Sequence, residues 1–243
     1  MRLANCDNDK IYEVEKKVYE NDLTKVWCGI VCDWKRNKYF AKILSYGKHT
    51  DERVIHALLE VSKQEAVTLK KVAQCTKSVP GLRDSWNDVQ NKEFVIIMDL
   101  VPGKSLRAWL NARKEQLQAK DVFLRKCIII ELCKIMRDIN RRYPAIVHRD
   151  LKPENIYICF NSRSKKWDVY IIDFGCANLN HIRNVGTTNY QAPEQIGNKN
   201  TRVCINSKTD IFAIGQIFYE MLLGSPPRIS VDYLYRAREQ AWV

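Results

Sequence analysis

Residues 148–155 read His148-Arg149-Asp150-Leu151-Lys152-Pro153-Glu154-Asn155. A carboxylate, an ammonium and a carboxamide stand in this one short loop. Asp150 can orient a hydroxyl and accept its proton. Lys152 can place a cation near a moving phosphoryl group, and Asn155 offers an oxygen to a divalent cation. Transfer of a phosphoryl group makes these three demands. Working outward, Asp173-Phe174-Gly175 closes a β-type run 23 residues after Asp150. Alone it is a turn tripeptide, and its interval from Asp150 gives it weight. Val185-Gly186-Thr187-Thr188-Asn189-Tyr190-Gln191-Ala192-Pro193-Glu194 and Asp210-Ile211-Phe212-Ala213-Ile214-Gly215 follow. Without context these would be an ordinary turn and an ordinary buried helix. Upstream, Phe40-Ala41-Lys42-Ile43 sets a lysine among apolar residues on a β-prone run, and Gln64-Glu65-Ala66 lies in the helical stretch after it. A lysine on a strand is usually a solvated charge. A glutamate partner would keep Lys42 charged and aimed within a cleft.

The eight-residue string matches the protein-kinase catalytic loop position for position, in the form with Lys two after Asp. With the other motifs in this order, the chain resembles a eukaryotic-type Ser/Thr protein kinase over roughly residues 11 to 225. The resemblance implies an α+β, two-lobed fold: a β-rich N-lobe about 11–100, a hinge about 99–104 and a helical C-lobe about 105–243, without the family's usual last helices. It implies ATP and Mg²⁺ as cofactors and a protein hydroxyl as acceptor. In it Asp150 is the catalytic carboxylate with Lys152 beside it, and Asn155 and Asp173 ligate the metal. Lys42, paired with Glu65, holds the α/β-phosphates. Val18 and Val26 border the nucleotide, the backbone at Asp99 and Val101 meets adenine, and Ser105 approaches the ribose. Thr187 bonds near Asp150 and Lys152, Glu194 closes the activation segment, and Asp210 binds the backbone of the catalytic loop.

The chain departs from that pattern in five places. Aligning Val26 with the family's valine puts Tyr19, Asn21 and Thr24 where glycines are expected. Glycine lets backbone N–H groups approach phosphate closely. Phe40 replaces the usual alanine two before the lysine, unless the strand is bulged by one, and Tyr157 takes the aliphatic floor of the adenine slot. Between Cys176 and Val185 no Ser, Thr or Tyr occurs, so no phosphate there can pair with Arg149. That segment is expected to order without one or through a regulatory partner. After Pro227 there is room for about one helix, Val231 to Trp242. A scaffold of kinase fold with little turnover, and a small-molecule phosphotransferase, stay open as alternatives.

The bulk numbers agree with an enzyme of this size. The 243 residues are 46% apolar, enough for a core. No apolar run approaches the roughly 20 residues of a membrane span, and residues 1–10 lack a secretory apolar stretch. A soluble, cytoplasmic protein is the expectation. Nine cysteines, several in apolar runs (Cys127, Cys133, Cys159), read as reduced, buried thiols. The net charge of +12 reads as a solvated basic surface that could attract acidic protein substrates. No nucleic-acid motif accompanies it, which weighs against nucleic acid as the partner. Strands are expected at Ile11–Tyr19, Lys25–Trp34, Lys38–Leu44, Phe94–Leu100, Ile156–Phe160 and Asp168–Ile172. Helices are expected at about Glu52–Ala73, Ser105–Gln118, Val122–Arg142 and Lys208–Leu223, the last capped by Ser207 and ended by Gly224.

Overall fold

The structure is a computed structural model and describes residues 1–21, 25–47, 51–113, 119–141, 145–177, 186–196 and 205–226. The chain divides into two compact units. One is Met1–Ala73 with Pro80–Val101, the other Gln74–Val79 with Pro102–Val243.

In the first unit six strands form one sheet: β1 (Arg2–Asn5), β2 (Lys10–Asn21), β3 (Val26–Cys32), β4 (Lys38–Ser45), β5 (Leu82–Asp88) and β6 (Glu93–Asp99), in the order β1-β2-β3-β4-β6-β5. Every pairing is antiparallel. Alternation along the strands gathers Leu3, Tyr12, Trp27, Val31, Ala41, Ile43, Trp86, Val95 and Ile97 into one core. Phe40 and Lys42 therefore share the opposite face of β4. The register Ile30↔Phe40, Cys28↔Lys42, Val26↔Leu44 runs without a shift, so β4 carries no bulge and Phe40 keeps its place beside Lys42. The sheet curls, because groups at one edge reach the other. Asn5 Nδ2 donates to Asp84 Oδ1 on β5 at 3.0 Å, and the Tyr12 phenol reaches Asp84 Oδ2 at 3.5 Å. Asp33 folds the β3–β4 hairpin by accepting the N–H groups of Lys35 and Asn37.

Helix α1 (Glu52–Val72) begins at Asp51, whose carboxylate accepts the Arg53 N–H. It buries Ser62, Glu65, Ala66, Leu69 and Val72 on one stripe. Strands β1 and β5 were not expected from the sequence. Their alternation is masked by the polar and charged residues typical of sheet edges, as in Arg83-Asp84-Ser85.

The second unit holds α2 (Leu106–Asn111), α3 (Ala119–Asn140), α4 (Ser207–Leu223) and the small sheet β7 (Lys104–Ser105), β8 (Ile156–Asn161), β9 (Lys166–Ile171). Leu106, Trp109, Leu132, Met136, Ile139, Ile217 and Met221 fill its core. Helix α2 is shorter than expected, and residues 114–118 lie outside the described residues. The cap of α4 is Asn206, not Ser207: the Asn206 carboxamide accepts the Lys208 N–H at 2.9 Å, and Ser207 already lies within the helix. Gly224, at φ 80°, ends it.

The cysteines also need correcting. Cys28 and Cys32 are buried, but Cys127 and Cys133 face solvent on α3, because an apolar run on a helix does not place every member on the inner stripe. Cys6, Cys32, Cys127, Cys133 and Cys159 are free thiols. No described helix is long and apolar enough to cross a membrane. The expected helix Val231 to Trp242 falls outside the described residues.

Candidate active site

The second unit carries the loop quoted first, and α4 anchors it. Asp210, fully buried, accepts the backbone N–H groups of His148 and Arg149, both at 2.9 Å. Burial pushes its carboxyl above the ordinary range, against the pull of these bonds and of the neighbouring histidine and arginine. The His148 ring bonds the Ile172 carbonyl at 3.0 Å and lies 4.7 Å from the Phe174 ring. Gln195 donates to the Arg149 carbonyl at 2.8 Å, while its oxygen accepts the Ala192 N–H. A β-carbon at Gly186, where φ is 116°, would lie 2.7 Å from the Arg149 carbonyl oxygen, so the close approach requires glycine. Seven described non-glycine residues have positive φ. Asp9, Lys25, Arg36, Lys92 and Lys165 stand in hairpin connections. The other two are Arg149 and Asp173, so strain away from the hairpins falls on the site.

Around Asp150 a closed set of bonds forms. Thr187 Oγ1 donates to Asp150 Oδ1 at 2.8 Å. Lys152 Nζ donates to Asp150 Oδ2 at 2.9 Å and to Thr187 Oγ1 at 3.0 Å. Asn155 Nδ2 donates to the Asp150 carbonyl at 2.9 Å. Burial works to lower the Lys152 pKa, but the bond and charge of Asp150 more than offset it, so the group is held above its ordinary value as an ammonium. The Asn155 amide nitrogen is committed to Asp150, which leaves the oxygen as its metal-binding end. Among the described residues no three His, Cys, Asp or Glu side chains gather as a metal centre. One carboxylate, Asp173, and one amide oxygen suit Mg²⁺, which keeps waters and takes its other oxygens from phosphates. The donor set fits that ion.

In the first unit β4 and α1 bring Lys42 Nζ to 2.7 Å from Glu65 Oε1. Val26 pairs with Asn21 and with Leu44. Val18 is the extra residue where the β2–β3 register shifts between Lys17 and Tyr19, and it is exposed. Tyr19 pairs with Cys28 as an ordinary strand residue, and its phenol accepts a bond from Asn21 Nδ2 at 3.0 Å. Thr24 lies outside the described residues. The Asp99 carboxylate holds Arg83 Nε at 2.5 Å and the Gly81 N–H at 3.1 Å, while its own N–H donates to the Gly81 carbonyl. Val101 is half-buried just past β6.

Back in the second unit, the Ser105 oxygen accepts the Ala108 N–H at 3.2 Å, so this hydroxyl caps α2, a role its place before a helical run could have signalled. Tyr157 pairs with Ser105 across β7 and β8. Glu194, for which the resemblance implies an arginine partner, accepts a bond of 2.6 Å from Thr209 Oγ1. Gln195, Thr209 and Arg107 escaped the sequence reading. Their long-range partners lie 15 to 113 residues away, which no local pattern discloses.

The chain is similar to kinases from distant organisms. It is 30% identical to the serine/threonine-protein kinase Nek2 of Homo sapiens over 207 residues, which is 81% of this chain and 44% of Nek2. It is 27% identical over 202 residues to the serine/threonine-protein kinase Pkn1 of Myxococcus xanthus, covering 78% of this chain and 27% of that one. With the citron rho-interacting kinase of Rattus norvegicus it shares 30% over 157 residues, 61% of this chain and 7% of that one. The chain thus spans less than half the length of these relatives. The family model described as the protein kinase domain matches residues 16–239, and the chain belongs to the protein kinase family.

Proposed function

We propose that this chain transfers the γ-phosphate of ATP to Ser or Thr hydroxyls of protein substrates. The observation that carries the reading is the closed set of bonds among Asp150, Lys152 and Thr187, with Asn155 fixed to the same aspartate. The bonds fix the Asp150 side chain in place, and its remaining lone pairs can accept a hydroxyl proton. The acceptor oxygen bonds the γ-phosphorus as the bond to the β-phosphate oxygen breaks; the proton passes to Asp150 and ADP leaves. Lys152 stays charged beside that centre and steadies the transferring group. Asn155 and Asp173 would hold Mg²⁺, which supplies positive charge to the phosphate oxygens. Lys42, kept charged by Glu65, holds the α/β-phosphates. Val18, Val26 and the backbone at Asp99 and Val101 border adenine, and Ser105 lies toward the ribose. In this reading the N-lobe is about 11–100, the hinge about 99–104 and the C-lobe about 105–243. Free thiols at Cys6, Cys32, Cys127, Cys133 and Cys159 support a reducing, cytoplasmic setting.

A scaffold of kinase fold is the second reading. The observation in its favour is the β2–β3 hairpin, whose arms carry Tyr19 and Asn21 in regular pairing. Incubation with Mg²⁺ and γ-labelled ATP, with and without a protein mixture, separates the two. Label in protein that is lost with Asp150→Asn supports the kinase. Label in neither protein nor small molecule supports the scaffold, and label in a small molecule alone overturns both.

A further inference from the structure

Arg107, on α2, gathers acidic groups from distant stretches of the second unit. Its Nε donates to Glu154 Oε1 at 2.7 Å, and Nη1 and Nη2 reach the two carboxylate oxygens of Glu220 on α4. Nη2 also donates to the Tyr190 phenol oxygen at 2.8 Å, and Tyr190 donates in turn to Glu220 Oε2 at 2.5 Å. The side chain of Glu220 is 2% exposed, that of Arg107 27% and that of Glu154 46%. The cluster therefore has a sealed base and an open mouth, with the guanidinium between them. Burial alone would loosen the proton on Arg107, but the bonds to Glu220 and Glu154 raise its pKa.

The chain itself puts this cluster beside the proposed chemistry. Glu154 adjoins Asn155 and lies four residues past Asp150. Tyr190 lies three past Thr187, whose hydroxyl is bonded to Asp150. Two carboxylates and a phenol around one planar guanidinium are what a protein would use to recognise an arginine of a bound peptide. Here the chain provides that arginine itself. A structural role would need only the buried Glu220 and Tyr190. It gives no reason for a third arm to reach the half-open Glu154 on the catalytic-loop turn.

We propose that Arg107 is the resident occupant of an anionic subsite beside Asp150, and that by filling it Arg107 sets substrate choice against basic residues at that position. The inference rests on the protein-kinase reading, whose substrate class it narrows. The chain's net positive charge works in the same direction.

The test uses two series of labelled Ser-containing peptides, one with a single Arg moved through each position and one with norleucine in its place. Binding is followed by fluorescence anisotropy, and turnover with γ-labelled ATP is measured in parallel. The unsubstituted protein is expected to bind both series alike within about twofold. Arg107→Ala is expected to bind one register of the Arg series about tenfold tighter, and adding Glu154→Gln should remove most of that gain. Lys166→Ala, which deletes an exposed cation elsewhere, should show no preference; a preference there would reduce the effect to overall charge and overturn the proposal. Arg preference in the unsubstituted protein, or equal binding of both series by a cooperatively melting Arg107→Ala, would also overturn it. If Arg107→Ala does not fold, Arg107→Lys decides. Lysine keeps a cation on Glu220 without the fork, so a preference of about threefold is expected, and equal binding overturns the proposal. Absent turnover with the binding pattern intact counts against the kinase reading and leaves the subsite standing.

Discussion

The loop around Asp150 and the hairpin of β2 and β3 are assigned to one reaction, yet they are built by opposite means. In the loop, side chains fix both backbone and side chains: Asp210 accepts the His148 and Arg149 N–H groups, Gln195 donates to the Arg149 carbonyl, Thr187 and Lys152 bond the Asp150 carboxylate, and Gly186 is glycine because a carbonyl oxygen would stand 2.7 Å from its β-carbon. In the hairpin, strand pairing shapes the backbone as far as Asn21, and the Asn21 carboxamide donates to the Tyr19 phenol two residues away. Orienting a hydroxyl demands particular atoms at particular separations. Holding phosphate through backbone N–H groups demands only a path that can come close, and several sequences trace such a path with different tightness. The first unit can therefore depart from the family pattern where the second cannot.

The sharpest break of that contrast is Asp150→Asn. The carboxamide keeps the size of the group but cannot take a proton. Turnover should fall by at least about a hundredfold, while Mg²⁺-ATP affinity, measured by calorimetry, should change by less than about twofold. Retention of more than about a tenth of turnover would remove Asp150 from its role.

Next in size is Asp210→Asn. The buried carboxylate accepts two N–H groups, and an amide there would point a donor at one of them. A loss of about 1–3 kcal/mol in unfolding free energy is expected, with reduced turnover. Urea unfolding reads the first and a labelled-ATP assay the second. Unchanged stability would mean that α4 does not hold the loop.

The same contrast explains what the sequence disclosed. Residues 148–155 were readable because their chemistry is local. The resemblance paired Lys42, on a β-prone run, with Glu65 in the helical stretch after it, and the first unit brings the two to 2.7 Å. The Thr209 partner of Glu194 was not legible, because packing brings it from 15 residues away. Ser105 carried two signals at once, ribose and cap, and the α2 N–H it accepts was the one overlooked. Edge strands β1 and β5 stayed hidden because the groups that close the sheet, Asn5 and Asp84, are the polar residues that read as loop.

Tyr19→Gly tests the hairpin from the other side. A glycine removes the β-carbon and frees φ, at a stability cost of about 0.5–1 kcal/mol in a strand. One added backbone bond to phosphate would strengthen Mg²⁺-ATP binding by about tenfold. The unsubstituted chain is expected to bind in the range of hundreds of micromolar, as an order of magnitude. Equal affinity of the two proteins, with nucleotide bound by both, would show that the side chain at this position does not limit the approach.

The smallest expected effect concerns the phenols that tie each unit together. Tyr12 in the sheet faces Asp84, and Tyr190 in the helical unit faces Glu220. Burial first, then the charge of Asp84, pushes the Tyr12 phenol up to about 12 from its ordinary 10.0. A phenol raised in the fold is protonated there while its unfolded counterpart has already ionised. Between about pH 10 and pH 12 the unfolded chain therefore gains on the folded one, and the stability owed to Tyr12 is complete below pH 10 and lost as pH rises through 12. Tyr12→Phe lacks that group, so the difference between its urea midpoint and that of the unsubstituted chain should be constant up to about pH 10 and close above it. Using the difference cancels the tyrosines and lysines remote from Tyr12; Tyr39, whose ring lies 6.0 Å away, interacts with it and stays in the difference. A gap that stays constant to pH 12 would mean that Asp84 closes the sheet without the phenol, through Asn5, Asn8 and Lys10. A gap that closes would place Tyr12 in the seam of the curled sheet, a polar lock in the unit whose hairpin otherwise relies on strand pairing.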